Sequence, residues 1–346
     1  MDEPGSAAPA DGTGGPAVRP RLEDVAARVG LSTASVSLVL RGVPGPSERT
    51  RQRVLKAAAE LGYRPDRTAS ALASRRSRLL GVMVDVHSPF HAELVEHLHI
   101  AAEEVGYDLV LSALTRTRDE STAVETLLAF RCEALILLGP EASAATLAGL
   151  DRRAPVVSVG RRITGAGPDV VRTADDDGVS QIVDHLVGLG HRAIAYVDGG
   201  RGVIVTDRRG GYRDAMRRHG LHEHVRVLPG GSTEESGEAA GRRLLDDGVL
   251  PTAVVAYNDQ SAIGLLTALR SAGVDVPGTV SVAGYDDDTL SRLSCFDLTT
   301  VSQNAREQAR HAVTAAVQRL DGGRREPREI VLAPTLVVRG TTARVR

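Results

Sequence analysis

The sequence predicts an α/β protein in which a small domain of three helices precedes a large core built on parallel β-sheets. Apolar residues recur at helical spacing between Arg21 and Leu61. From Leu79 onward, short apolar runs alternate with helical stretches, as in chains of β-α units. Basic residues are concentrated in the first region, so that the two parts differ in charge as well as in pattern.

The first 20 residues are rich in Gly, Ala and Pro and lack the apolar segment of a signal peptide. We therefore expect residues 1–20 to be a disordered tail. No later stretch is apolar over the length that a membrane requires. Cys132 and Cys295 are the only two cysteines, which indicates a reduced compartment and no disulfide framework. We expect a cytoplasmic protein that does not interact with membranes.

The first helix follows from one apolar stripe. Leu22, Val25, Ala26 and Val29 are spaced i, i+3, i+4 and i+7, and Gly30 then ends the pattern. The hydroxyl of Ser32 suits the cap of a second helix, whose inner face carries valines and whose outer face carries small residues. Those outward residues are Thr33, Ala34, Ser35 and Ser37.

A third helix is predicted between the cap residue Ser47 and Gly62. Helix, glycine turn and helix is a common arrangement, and by itself it could be a purely structural subdomain. The charge favours a nucleic-acid function, because residues 19–78 hold 13 basic and 5 acidic side chains, a net +8. The whole chain is −2, so the remainder totals −10. The positive charge therefore lies where a DNA phosphate backbone would be contacted.

The segment DVAARVGLSTASVSLVLRG, followed by ELGYRP and then ALA, resembles the N-terminal domain of the LacI/GalR family of bacterial transcriptional regulators. The resemblance runs from about Leu22 to the end of the chain. It implies a lambda-repressor-like helix-turn-helix domain at residues 21–65, a hinge helix or linker at 66–78, and a periplasmic-binding-protein-like (type I) core at 79–346. It also implies a homodimer that binds double-stranded operator DNA.

The resemblance implies particular DNA contacts. Thr33, Ala34 and Ser37 are expected to contact base edges. Contacts to phosphate are expected from Ser32, Ser35 and Thr50. In the hinge, Leu72 holds the position that enters the minor groove. The full set of expected DNA-binding residues is Ser32, Thr33, Ala34, Ser35, Ser37, Arg41, Thr50, Arg67 and Leu72. Many relatives have Asn at the position of Arg41, so their base preference does not transfer. A disordered Ala-rich linker with a solvated Leu72 remains the alternative for the hinge.

The core contains seven apolar runs that read as strands: LLGVMVDV, YDLVLSAL, ALILLG, VVSVG, AIAYVDG, AVVAYND and SVAGYDD. Residues 79–346 are more than one hydrophobic core usually accommodates, so two lobes are expected. The resemblance implies lobes of about 79–174 plus 304–331, and 175–303 plus 332–346. Small molecules bind between such lobes, at the carboxyl ends of the strands.

The resemblance also implies the residues that bind a small-molecule effector, most simply a sugar or sugar derivative. These are His87, Phe90, Arg161, Arg208, Asn258, Asp286 and Gln303. His87 is expected to be part of the wall rather than a metal ligand, because no second His or Cys follows at zinc-like spacing. Sugar-binding relatives usually have an aromatic ring near Ser232, and this chain has none there. A non-sugar metabolite, as inducer or co-repressor, therefore stays open.

A two-lobed α/β core with a cleft is also found in two other classes of protein. An enzyme is not expected, because the chain lacks a phosphate-binding Gly-Lys-Ser/Thr loop, a Gly-x-Ser-x-Gly elbow and a dinucleotide fingerprint. A solute-binding protein would share the two-lobed core but would need a signal sequence and would not carry a basic helix-turn-helix. The sequence therefore predicts a transcriptional regulator, acting as a repressor, with no cofactor and no bound metal.

Overall fold

The computed structural model describes residues 20–40, 43–63, 76–165, 167–324 and 326–345. The chain divides into two compact units, one up to Ser77 and one from Arg78 onward. The expected tail up to residue 19 and most of the expected hinge, with Arg67 and Leu72, lie outside the described residues, as does Arg41. No helix among the described residues is long and apolar enough to span a bilayer.

The N-terminal unit contains three helices, α1 (Leu22–Val29), α2 (Thr33–Leu40) and α3 (Glu48–Leu61). Val25, Val36 and Val54, one from each helix, are completely buried at its centre. Gly30 ends α1 with a φ of 65°, in the left-handed region that favours glycine. The Ser47 hydroxyl accepts a hydrogen bond from the Thr50 amide and so caps α3. The three predicted helices are confirmed.

The core unit alternates strands and helices along most of its length. Its elements are β1 (Leu79–Asp85), α4 (Pro89–Glu104), β2 (Asp108–Leu114), α5 (Glu120–Ala129), β3 (Ala134–Leu138), α6 (Ala144–Asp151), β4 (Val156–Val159), β5 (Asp169–Thr173), α7 (Asp175–Gly188), β6 (Ile194–Val197), α8 (Val203–Arg218), β7 (Arg226–Leu228), α9 (Glu234–Asp246), β8 (Ala253–Ala256), α10 (Asp259–Ser271), β9 (Ser281–Ala283), β10 (Thr300–Ser302), α11 (Ala305–Leu320), β11 (Glu329–Leu332) and β12 (Thr335–Val337).

We call the part of the core around its six-stranded sheet the near lobe. The sheet has the order β11-β5-β4-β3-β1-β2, and every pairing in it is parallel. Helices α4 and α11 cover one face, where Leu94, Leu98 and Ala312 pack against the strands. Helices α5 and α6 cover the other face through Leu127 and Leu147. Two-sided coverage explains why β3 is apolar at every position.

The far lobe is built on a parallel four-stranded sheet of order β7-β6-β8-β9, and β10 and β12 form a separate antiparallel pair. Tyr196 and Tyr212 stack within its interior, with ring centroids 5.2 Å apart. Helix α8 lies so close to α7 that a Cβ at Gly211 would collide with the backbone oxygen of Asp176. The chain passes between the lobes after β5, after β10 and after β11.

All seven strands predicted from apolar runs are present, but five strands were not predicted: β5, β7, β10, β11 and β12. Strand β5 contains Asp169 and Arg172, whose charges are paired with Arg324 and Glu329. Strand β11 lies at a sheet edge and alternates exposed and half-buried residues. These strands are short, charged or exposed, so they do not produce a continuous apolar run.

Candidate functional site

A cavity of about 200 Å³ lies between the two lobes, at the carboxyl ends of their strands. In the near lobe, its walls come from the segments that follow β1, β3 and β4. In the far lobe they come from α8 and from the segments that follow β8, β9 and β10. The structure brings all seven expected effector-binding residues to this cavity: His87, Phe90, Arg161, Arg208, Asn258, Asp286 and Gln303.

Arg208 occupies the floor of the cavity and is only 4% exposed. Its Nε donates to Asp175 Oδ1 at 2.8 Å and its Nη2 donates to Asp286 Oδ1 at 3.2 Å. Its Nη1 donates to the Tyr257 carbonyl oxygen at 2.8 Å. The guanidinium also stacks on two rings, 3.8 Å from the centroid of Tyr285 and 4.8 Å from that of Tyr257. These contacts fix the planar group in one orientation.

Two buried carboxylates face this one guanidinium, so the floor carries a surplus of one negative charge when both are ionised. Burial raises the pKa of Asp286 to about 6, although Arg208 acts in the opposite direction. Burial also raises the pKa of Asp175 above its ordinary value. Gln303 Nε2 donates to Asp286 Oδ1 at 2.7 Å and holds that carboxylate in place. The arrangement suits a ligand that donates hydrogen bonds to Asp286.

Asn258 lies at the cavity because it caps α10. Its Oδ1 accepts from the Ser261 amide at 2.9 Å, and its Nδ2 donates to the Ser232 carbonyl oxygen at 3.0 Å. Both ends of the amide are therefore oriented by the protein, which leaves the second Nδ2 hydrogen as its free donor. Asn258 thus has a structural role as well as a position in the wall.

Three of the expected residues lie in the near-lobe wall. Arg161 Nη1 donates to the carbonyl oxygens of Pro140 at 2.7 Å and Ala142 at 2.9 Å, so this side chain braces the segment after β3. Phe90 is 8% exposed and packs into the lobe interior. His87 is exposed, and its backbone amide donates to Asp85 Oδ1 at 2.9 Å.

Sequence reasoning missed four residues of this site: His91, Asp175, Tyr257 and Tyr285. The two tyrosines directly precede Asn258 and Asp286. A Tyr followed by a polar residue thus occurs after two strands, and this repeated pattern could have indicated that both tyrosines belong to the site. Asp175 is the first residue of α7 and belongs to the site through its bond to Arg208. Its pairing with Arg208 could not be read from the sequence, because 33 positions separate the two residues.

Nothing in the described part of the chain suggests a metal centre, since no group of three or more His, Cys, Asp or Glu side chains converges there. Cys132 is buried, Cys295 is exposed, and both are free thiols. Burial raises the pKa of Cys132 to about 11, so it is an unreactive thiol at neutral pH.

The expected DNA-contacting surface lies at the start of α2. Ser32, Thr33 and Ala34 are exposed, whereas Ser35 and Ser37 are half-buried. The Ser32 hydroxyl accepts from the Ser35 amide at 3.2 Å, which caps α2. Thr50 is half-buried in the first turn of α3, where its amide donates to the Ser47 hydroxyl.

Part of the positive charge of this unit is used internally. Arg53 Nη2 donates to the Val29 carbonyl oxygen at 2.8 Å and so ties α3 to the end of α1. Arg51 Nη2 donates to the Val43 carbonyl oxygen at 3.4 Å. Arg49, by contrast, is exposed at the N-terminal turn of α3. Only the exposed arginines of this unit are therefore available to bind phosphate, and the total number of its basic residues is larger than the number available.

Comparison with known proteins links both units to one family. The family model described as "Bacterial regulatory proteins, lacI family" matches residues 21–66, and a "Periplasmic binding protein-like domain" matches residues 183–342. The HTH-type transcriptional regulator GalR of Escherichia coli (strain K12) is 33% identical over 323 residues, which cover 92% of this chain and 94% of that protein.

Solved structures agree with these matches. The lac repressor dimer bound to operator and the anti-inducer ONPF is 30% identical, with a TM-score of 0.82 over 94% of this chain and 100% of that chain. The complex of the transcriptional regulator CelR with cellobiose is also 30% identical, with a TM-score of 0.68 over 93% of this chain and 100% of that chain. The expected α/β fold, with parallel sheets in a type I periplasmic-binding-protein-like core, is confirmed. The chain therefore belongs to the LacI family of DNA-binding bacterial transcriptional regulators.

Proposed function

We propose that this chain is a transcriptional repressor whose affinity for operator DNA is controlled by a sugar or sugar derivative in the cavity between the lobes. The observation that carries the proposal is the meeting of Arg208, Asp286 and Gln303 in one buried network at that cavity. Such a network offers oriented acceptors and donors for hydroxyl groups. The cellobiose complex of CelR supports a carbohydrate as the class of ligand.

We propose that DNA is read by the small residues at the start of α2. Ala34 offers only apolar contact, such as with a thymine methyl group, while Thr33 and Ser37 can exchange hydrogen bonds with base edges. Ser32, Ser35, Arg41, Thr50 and Arg67 are assigned to phosphate or neighbouring contacts, and Leu72 to the minor groove. Two copies are required to read a pseudo-palindromic site, so the functional unit is a homodimer.

In this mechanism the ligand acts by its different affinity for two arrangements of the lobes. A ligand that bonds to the wall of one lobe and the floor of the other favours the closed arrangement. Closure alters the geometry of the segment that leads to the DNA-binding unit and lowers operator affinity, which is the coupling expected of an inducer. The protein performs no chemistry on the ligand.

The test starts by selecting bound sequences from a random DNA duplex library with the full chain. Fluorescence anisotropy on the selected duplex then compares the free protein with protein in the presence of cellobiose, galactose or ribose. We expect a pseudo-palindromic site, released by one of the sugars. No enriched site would contradict repression by the free protein, and a site unaffected by every sugar would contradict the carbohydrate effector.

Leu72→Ala separates the two halves of the proposal. This variant is expected to bind the selected duplex more weakly while retaining its affinity for the sugar, because only the DNA contact is changed. Unchanged operator affinity would refute the minor-groove role of Leu72.

A further inference from the structure

His91 is a cavity residue that the functional assignment above does not use. It is the third residue of α4, and its ring lies in the near-lobe wall between the ends of β1 and β3. A Cβ at Gly139, directly after β3, would lie 3.7 Å from both Cε1 and Nε2 of the ring. Cε1 and Nε2 are therefore the ring atoms that lie next to Gly139, and both residues line the cavity.

The protonation state of this imidazole follows from its backbone contact. The Asp85 amide donates to His91 Nδ1 at 3.2 Å, so Nδ1 must be the unprotonated nitrogen. Nε2 consequently carries the hydrogen of the neutral ring. Burial lowers the pKa of His91 to about 4, although the nearby Asp85 raises it, so the ring is neutral at physiological pH.

The Nε2–H group is a donor that the described part of the chain leaves unused. Among the described residues no hydrogen bond involves His91 Nε2, and this atom is not one of the polar atoms sealed off from solvent without a partner. A fixed, uncharged donor is thus presented to the cavity. Its counterpart across the cavity is the floor, where Asp286 accepts hydrogen bonds.

The charged side chains around the cavity indicate the net charge of the ligand. The lining carries the carboxylates of Asp85 and Asp286 against the guanidinium groups of Arg161 and Arg208. A third carboxylate, that of the buried Asp175, lies behind the lining and is paired with Arg208. The exposed Glu141 and Arg201, which also line the cavity, have opposite formal charges, so the surplus is the one negative charge that Asp175 adds. The surplus negative charge disfavours an anionic ligand.

We propose that His91 is a specificity-determining residue whose Nε2–H donates to an oxygen of the ligand, so that the cavity selects an uncharged, hydroxyl-bearing ligand over its phosphate ester. The inference rests on the proposed effector cavity and adds the residue and the charge of the ligand. The ligand offers an acceptor to the near lobe and hydroxyl donors to Asp286 in the far lobe, and it thereby joins the two lobes.

The donor state is tested without any ligand. Histidine-selective ¹⁵N labelling of the full chain, with His91→Gln to assign the signal, is expected to show His91 as the Nε2–H tautomer, neutral down to about pH 4. An Nδ1–H tautomer, or a ring that titrates near the ordinary histidine pKa, would overturn the proposal.

Binding is tested by calorimetry with cellobiose, galactose and ribose, and with galactose 1-phosphate and ribose 5-phosphate. We expect an uncharged sugar to bind and both phosphates to bind more weakly. His91→Phe, which keeps a ring but no donor, should weaken sugar binding by about tenfold. His91→Gln, which retains an N–H donor, should recover much of this loss, and His99→Phe, an exposed position farther along α4, should have no effect.

The outcomes distinguish this inference from the function on which it rests. Tighter binding of a phosphate ester, or unchanged binding by His91→Phe, would overturn the inference and leave an effector cavity in place. Failure of all five compounds to bind would overturn the carbohydrate effector, and with it the ligand class inferred here.

Discussion

Replacing Arg208 with methionine tests the charge cluster at the cavity floor. The arginine is 4% exposed and bonds to Asp175 and Asp286, which are themselves shielded from water. Methionine preserves much of the apolar stem but leaves both carboxylates without a counter-charge. Removing one partner of a buried ion pair typically costs about 3–5 kcal/mol, and we expect a loss of that size in the free energy of unfolding at about pH 7.5.

The loss should shrink as the pH falls. In the wild type the pKa of Asp286 is already raised from 3.8 to about 6, so the folded state holds more protons than the unfolded chain between these values. Stability therefore decreases as the pH rises through this window. Without Arg208 the carboxyl pKa values rise further. Protonation then removes the uncompensated charges, and we expect the variant to lose clearly less stability at about pH 5.5.

Urea unfolding followed by near-ultraviolet circular dichroism is the appropriate assay. The chain has no Trp and six Tyr. Four of the tyrosines, Tyr196, Tyr212, Tyr257 and Tyr285, belong to the far lobe, whereas Tyr107 is buried in the near lobe, so the tyrosine signal reports mainly on the far lobe. Adding Asp175→Asn to the Arg208 variant removes one unpaired charge and should recover part of the loss. A loss below about 1 kcal/mol, or one that is equal at both pH values, would refute a buried electrostatic cluster.

Three further predictions concern other parts of the chain. Gly211→Ala should destabilise the core by about 1–3 kcal/mol in thermal unfolding, because α8 must move away from α7, whereas the adjacent Gly210→Ala has open space and should be neutral or stabilising. Arg292→Met breaks the 3.2 Å bridge to Glu93 that joins the lobes, but both groups are partly solvated, so urea unfolding should show a loss of no more than about 1 kcal/mol. Ser47→Ala should remove about 1 kcal/mol from the N-terminal unit, measured as a lower helical unfolding midpoint, since the cap of α3 is lost.

The parts of the fold that were predictable are those in which a local pattern reports burial. The stripe from Leu22 to Val29 defines α1 because one helix face packs inward. Strand β3 was predictable because helices cover both of its faces. Strand β5 was not, because Asp169 and Arg172 interrupt its apolar run and are paired with residues much later in the chain. Strands stabilised by distant pairing leave little signal in their own sequence.

The same distinction applies to the cavity. Arg208 and Asp286 could be located because each follows a recognisable motif, and the structure brings both to the same floor. Asp175 and His91 depend on the arrangement of strand ends, which no local segment records. In the sequence, Arg208 was expected only as an effector-binding residue. The buried ion pairs show instead that this side chain supports the fold, so binding tests are better made at His91.

The most direct test of ligand-controlled DNA binding is the anisotropy titration of the full chain onto its selected duplex, with and without the sugar that binds in calorimetry. The account predicts a saturable loss of operator affinity of at least about tenfold, a coupling free energy of about 1.4 kcal/mol, with half-maximal effect near the dissociation constant of the sugar. An operator affinity that stays constant while the sugar saturates the cavity would contradict the account.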